Sequence, residues 1–240
     1  MAVIDGSTSK TTHRIHPQMC NGRYCMTLVA EFIHNVNPNI SCEKFCNEIA
    51  EYIKGEYLKR ELSLRELAEK SAERLTASAV IYTKARQEIW MIGDCQCRMG
   101  GKNYENQKPE EEVIAAKRAS FIAQKLKQGL TAADFQTTDA SRDFILPDLL
   151  QSCKRQNKDY AVIDGFDIPM NKVRVLPAAA EVVLATDGYP FLCDTLQESE
   201  EKLQEVLAKD PLCAGIFKAT KGLMAGNNSF DDRSYVRFRT

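Results

Sequence analysis

The run Val182-Val183-Leu184-Ala185-Thr186-Asp187-Gly188 is a short apolar strand that stops at an acid followed by glycine. The same design recurs at Ala2-Val3-Ile4-Asp5-Gly6 and at Met91-Ile92-Gly93-Asp94. Asp231-Asp232 stands just before the alternating stretch Ser234-Tyr235-Val236-Arg237-Phe238. One Asp-Gly after a strand is a common turn and nothing more. Three strand ends plus Asp231 in one chain point further. Buried strands that feed several carboxylates to one sheet edge concentrate negative charge, which is costly unless cations compensate. Hard divalent ions such as Mg²⁺ or Mn²⁺ suit such an all-oxygen set. The glycine lets the chain turn sharply and brings its backbone carbonyl within reach of an ion.

The flanking sequence supplies strands in groups and helices in pairs. Residues 23–36 alternate loosely, with Tyr24, Met26, Leu28 and Ala30 on one face, and predict a strand. Ser41 caps a helix in which Phe45, Ile49 and Ile53 recur every four residues, and Ser63 with Glu66 forms a capping box ahead of Leu67. Ala77 to Tyr82 and Glu88 to Ile92 predict a β-hairpin around a polar turn. Pro109 and Gly129 bracket a helix with Ala115, Ala119, Ile122 and Leu126 as its apolar stripe. A second helical stretch, 142–156, carries Pro147, which is expected to start or kink it. Strand signals return at 160–163, 172–176 and 181–185, a helix with Leu203, Val206 and Leu207 follows, and the chain closes on the strand after Asp232. This grouping predicts an α+β class rather than strict strand-helix alternation, and no linker rich in Gly, Pro or Ser divides residues 1–240, which predicts a single domain. Ala161-Val162-Ile163-Asp164-Gly165 repeats the first pentapeptide verbatim, but the flanks differ, so Asp164 reads as a structural turn.

Composition narrows the function classes. With 33 acids against 32 bases interspersed along 240 residues, the chain lacks the basic footprint of a dedicated nucleic-acid or membrane-surface binder. Neither a secretion signal nor an apolar run long enough to span a bilayer is present, so a cytoplasmic location is expected. Nine cysteines, an odd count without a Cys-x-x-Cys pair, read as reduced thiols rather than a disulfide framework or a zinc site. Cys95, Cys97 and Trp90 read as core residues, and His13 and His16 as loop residues.

In their order, Asp5-Gly6, Gly93-Asp94-Cys95-Gln96, Thr186-Asp187-Gly188 and Asp231-Asp232-Arg233-Ser234 resemble the motifs of the metal-dependent protein phosphatases of the PPM type, also called type 2C. The resemblance runs from residue 3 to residue 238, with Cys95 and Gln96 where the family has Ser and Arg. It implies a four-layer sandwich of two antiparallel β-sheets flanked by helices, and a serine/threonine phosphoprotein phosphatase that uses a metal-bridging water as nucleophile. Asp5 would bridge two Mn²⁺ or Mg²⁺ ions and the Gly6 carbonyl would complete the second. Asp187 and Asp231 would hold the first ion, and Asp94 a third, weaker position. The expected partner is a phosphoserine or phosphothreonine protein, with no nucleic acid and no membrane. The family also has a strand upstream of the first Asp-Gly whose arginine grips the phosphate. Only four residues precede Asp5, so this chain is expected either to begin late in that pattern or to bind phosphate differently, with Lys10 and Arg14 as the nearest candidates and Arg23 and Lys221 behind them.

Two other readings compete. One is a catalytically impaired PPM-fold module with a metal-binding or regulatory role. The other is an N-terminal-nucleophile amidohydrolase, which would expose Cys20 or Cys25 at a processed N-terminus.

Overall fold

The computed structural model describes residues 1–106 and 108–240. One sheet has the order β1-β2-β3-β6, built from β1 (Ala2–Gly6), β2 (Ala77–Thr83), β3 (Glu88–Ile92) and β6 (Arg174–Pro177). The other has the order β5-β4-β7-β8, built from β4 (Gln96–Met99), β5 (Lys102–Tyr104), β7 (Glu181–Ala185) and β8 (Tyr235–Arg239). All neighbours are antiparallel.

Side-chain alternation explains how the two sheets stack. Val3, Val80, Tyr82 and Met91 of the first sheet meet Cys97, Met99, Val182 and Leu184 of the second in one apolar layer. The opposite face of β2 and β3 carries Ala79, Ile81, Trp90 and Ile92, which pack against α1 (Asn21–Asn35) and α2 (Cys42–Lys59). Because β2 is covered on both faces, all seven of its residues are buried. On the outer face of the second sheet Val183 and Ala185 pack with Tyr189 and Leu192, and the Tyr189 hydroxyl donates to Glu200 of α7 (Leu196–Lys209) at 2.7 Å. The architecture is α+β, two antiparallel four-stranded sheets flanked by helices. No helix among the described residues is long and apolar enough to cross a membrane.

Several elements follow the sequence closely. Ser41 accepts from the Lys44 amide at the start of α2, and Phe45, Ile49, Ile53 and Tyr57 bury one face of that helix. Ser63 likewise caps α3 (Leu64–Glu69). α4 (Glu111–Lys127) begins just after Pro109 and buries Ala115, Ala119 and Ile122, although Leu126 is exposed. It is followed by α5 (Ala132–Thr137) and α6 (Ala140–Cys153), and α4 and α6 pack together through Ile114, Ile145 and Leu149.

Two expectations are corrected, and of the two roles expected of Pro147 the helix start is excluded. Residues 23–36 are not a strand but most of α1: Tyr24, Cys25, Leu28 and Val29 are buried while Arg23, Thr27 and Ala30 are exposed, a spacing that only a helical period produces. Residues 160–163 form no strand, only two isolated bridges, Ile163 with Ala77 and Tyr160 with Gln156. α6 begins before Pro147 and continues through it. The chain also forms a β4-β5 hairpin, closed by Gly100 and Gly101, both at positive φ, as a two-residue turn between strands of this twist requires.

Candidate active site

The site is built where the apolar layer between the sheets runs out. Val3 faces that layer, so Asp5, two residues on, faces the same way at its end. Asp5 is paired in register with Ser78 of β2, and Ser78 donates its hydroxyl proton to Asp94, which follows β3. From the second sheet, β7 delivers Asp187 two residues past its end, and the 231–234 segment brings Asp231 alongside, with the Thr186 amide bonded to the Ser234 carbonyl at 3.1 Å. Asp5, Gly6, Asp94, Asp187 and Asp231 line one cavity of about 810 Å³. Lys10 lines it too, whereas Arg14 stands outside, exposed and donating to the Thr11 and His13 carbonyls.

The four carboxylates are not equivalent. Asp94 is the most compensated. Burial pushes its carboxyl up, but the Lys108 ammonium and the hydrogen bonds from Lys108 and Ser78 outweigh burial and hold it below its usual range. Asp231 is paired with Lys221, which also donates to Thr8 Oγ1 at 3.1 Å. Asp5 and Asp187 have no such partner among the described residues. Burial first, then the charges of Asp94 and Asp231, push Asp5 up to about 6. Burial and the charges of Asp94, Asp5 and Asp231 push Asp187 well above the carboxylate range, and its Oδ1 is buried with no hydrogen-bond partner among the described residues.

This imbalance bears on the expected metal. No group of three or more His, Cys, Asp or Glu among the described residues is arranged to enclose an ion. Lys108 and Lys221 take up the charge of Asp94 and Asp231 instead. The remaining pair does fit a hard divalent ion: all its donors are oxygens, Asp187 Oδ1 lacks a partner, and the Asp5 charge is opposed by its neighbours.

Lys108 and Arg142 are cavity residues that the motifs do not announce. Lys108 precedes the helix start at Pro109, and Arg142 lies in the first turn of α6, where its charge reads as ordinary helix surface. The second Asp-Gly copy lies elsewhere, since Asp164 is fully buried against Arg74. Cys25 is buried in α1 and its thiol donates to the Ile163 carbonyl, while Cys20 is the residue before that helix.

No protein-family model matches the chain, and no curated protein matches it. Similar solved structures include PppA, a key regulatory component of the T6SS in Pseudomonas aeruginosa, at 13% identity over 86% of this chain and 71% of that one, with a TM-score of 0.39. A bacterial serine phosphatase is 11% identical over 98% of this chain and 83% of its own, also with a TM-score of 0.39. The catalytic domain of the serine/threonine phosphatase PstP, in complex with two manganese ions, is 13% identical over 85% of this chain and 73% of its own, with a TM-score of 0.34. With scores this low, what the cavity does is read from its own side chains.

Proposed function

We propose that the chain is a Mn²⁺- or Mg²⁺-dependent phosphoric monoester hydrolase of the PPM type, acting on phosphoserine or phosphothreonine in proteins, with residues 1–240 as its domain. One observation carries the reading: four aspartates from four separate segments, each at or beyond a strand end, line a single cavity, and one of them keeps a buried oxygen without a partner. A site with four converging carboxylates works against folding unless it serves to hold cations.

Asp5, the Gly6 carbonyl, Asp187 and Asp231 would hold two ions, with Asp94 at a third, weaker position. Bound ions of this kind acidify water and neutralise phosphoryl oxygens. Lys108 and Lys221 hold the charge of Asp94 and Asp231, and each ammonium would be free to face substrate if an ion took its carboxylate. Phe191 and Ile216, both exposed apolar residues on the cavity wall, suit the flank of a phosphorylated side chain.

The test is hydrolysis of an aryl phosphate. Turnover should require added Mn²⁺ or Mg²⁺ and should vanish in Asp187→Asn. Activity that survives both chelation and this substitution overturns the reading. The lysine pairs on Asp94 and Asp231 favour a second one, a module that binds metal without turnover; calorimetry showing divalent-ion binding beside no hydrolysis of any phosphopeptide would support it.

A further inference from the structure

Five cations line the cavity: Lys10, Lys108, Arg142, Lys218 and Lys221. Lys108 and Lys221 each lean on a carboxylate. Lys10 and Arg142 form no ion pair with any described residue. Lys10, in the loop after β1, donates to Ser7 Oγ and to the Thr8 carbonyl, both at 3.0 Å. Arg142, on α6, donates through Nη1 to the Thr220 carbonyl at 2.8 Å and to Thr220 Oγ1 at 3.3 Å. Its Nε and Nη2 make no hydrogen bond among the described residues. Each side chain is thus fixed in place by a neutral acceptor while part of its donor set is left over.

Lys10 and Arg142 line the same cavity. Burial lowers the Lys10 ammonium, and the Lys108 and Arg142 cations lower it further. Arg142 is lowered by burial as well. Like charges held together in a half-buried pocket repel, and although Asp139, Asp231 and Glu111 offset Arg142 in part and Asp94 offsets Lys10, none of these acids forms an ion pair with either cation among the described residues. An anion between them removes that repulsion, and an arginine fork beside a point-charge ammonium matches the tetrahedral oxygens of a phosphoryl group.

We propose that Lys10 and Arg142 form an anion subsite that holds the phosphoryl oxygens of a phosphomonoester beside the aspartates. The identity of the anion rests on the function proposed above; the subsite itself rests on the placement of the two cations. It draws its charges from the loop after β1 and from helix α6, two segments far apart in sequence.

Inorganic phosphate, titrated calorimetrically into the full chain with Mg²⁺ present and again with chelator, tests this directly. The unsubstituted chain should bind phosphate in at least one of the two conditions. Lys10→Met and Arg142→Met should each weaken that binding at least tenfold, Arg142→Lys should recover part of the loss, and Arg14→Met, outside the cavity, should leave it unchanged. Thermal unfolding of each variant separates lost binding from lost structure, and Lys10→Met tests the subsite even if Arg142→Met fails to fold. Absence of phosphate binding in both conditions, or equal affinity in the unsubstituted chain and both Met variants, overturns the proposal. Phosphate binding without turnover of any phosphomonoester would leave the subsite standing and count against the hydrolase.

Discussion

Arg74 Nη1 donates to Asp164 Oδ2 at 2.8 Å, with both side chains buried. Asn157 Nδ2 and the Phe166 amide complete the other carboxylate oxygen, at 2.8 and 3.1 Å. Asp164 and Asp5 stand fourth in identical pentapeptides, yet one carboxylate is fully satisfied inside the core and the other opens into the cavity. The same five residues form a strand at Ala2–Gly6 and no strand at 161–165, so what surrounds the acid, not its local sequence, decides whether it is structural.

Asp164→Ala should therefore leave the Arg74 guanidinium buried without a counter-charge and destabilise the fold by about 3–5 kcal/mol. Denaturant unfolding measures the loss. Neither residue lines the cavity, so phosphate and divalent-ion affinities of the folded fraction should match those of the unsubstituted chain.

Gly6 and Gly22 make a second prediction. A side chain on either would run into the other's backbone: a Cβ on Gly22 would lie 2.7 Å from the Gly6 carbonyl carbon, and one on Gly6 2.6 Å from that of Gly22. This close approach seats the end of β1 on the start of α1, and thereby fixes Asp5. Gly22→Ala should cost roughly 1–3 kcal/mol through overpacking. It should also weaken divalent-ion binding, measured by calorimetry, more than Gly55→Ala does, since Gly55 has open space around it.

The residues that carry the fold differ in how openly they show it. The apolar runs of β2, β3 and β7 and the four-residue spacing of α2 can be read directly, because burial imposes their period. α1 misleads, since Tyr24, Met26, Leu28 and Ala30 happen to alternate in polarity while only the full set, including Cys25 and Val29, discloses the helical period. The Gly100-Gly101 turn was a hairpin signal in plain view. In the site, the aspartates carry a local mark, the Asp at a strand end, whereas Lys108 and Arg142 reach the cavity by the packing of α4 and α6 over it and leave no trace in their neighbours along the chain.

The Glu200–Arg233 pair gives a pH dependence. Arg233 donates to both Glu200 oxygens, at 2.7 and 2.8 Å, and so ties the segment after Asp231 to α7. The hydrogen bond from Arg233, opposed by burial and helped by Tyr189, holds the Glu200 carboxyl below its ordinary 4.5. A depressed acid contributes its stability above the unfolded-state value and loses it as pH falls through the folded-state value. Glu200→Gln should therefore be less stable than the unsubstituted chain by about 1 kcal/mol at pH 7. The difference should be unchanged down to about pH 5 and shrink toward zero below pH 4, as followed by chemical denaturation at each pH.

Asp187 carries the last prediction, in which stability and function move in opposite directions. Its carboxyl is pushed up by burial and by three neighbouring acids, and one oxygen lacks a partner. In the metal-free chain Asp187→Asn replaces a carboxyl whose ionised form is opposed by burial and by the neighbouring acids, so at pH 7 the variant should unfold at a higher denaturant concentration than the unsubstituted chain. Added Mn²⁺ should reverse the order: the unsubstituted chain gains stability by mass action on an ion held only in the folded state, while the variant, lacking a ligand, gains less. Paired denaturation curves with and without Mn²⁺ decide it. A variant that is less stable than the parent in chelator would mean that Asp187 is held by favourable contacts rather than strained by its neighbours, and the carboxylate cluster would then need no cation.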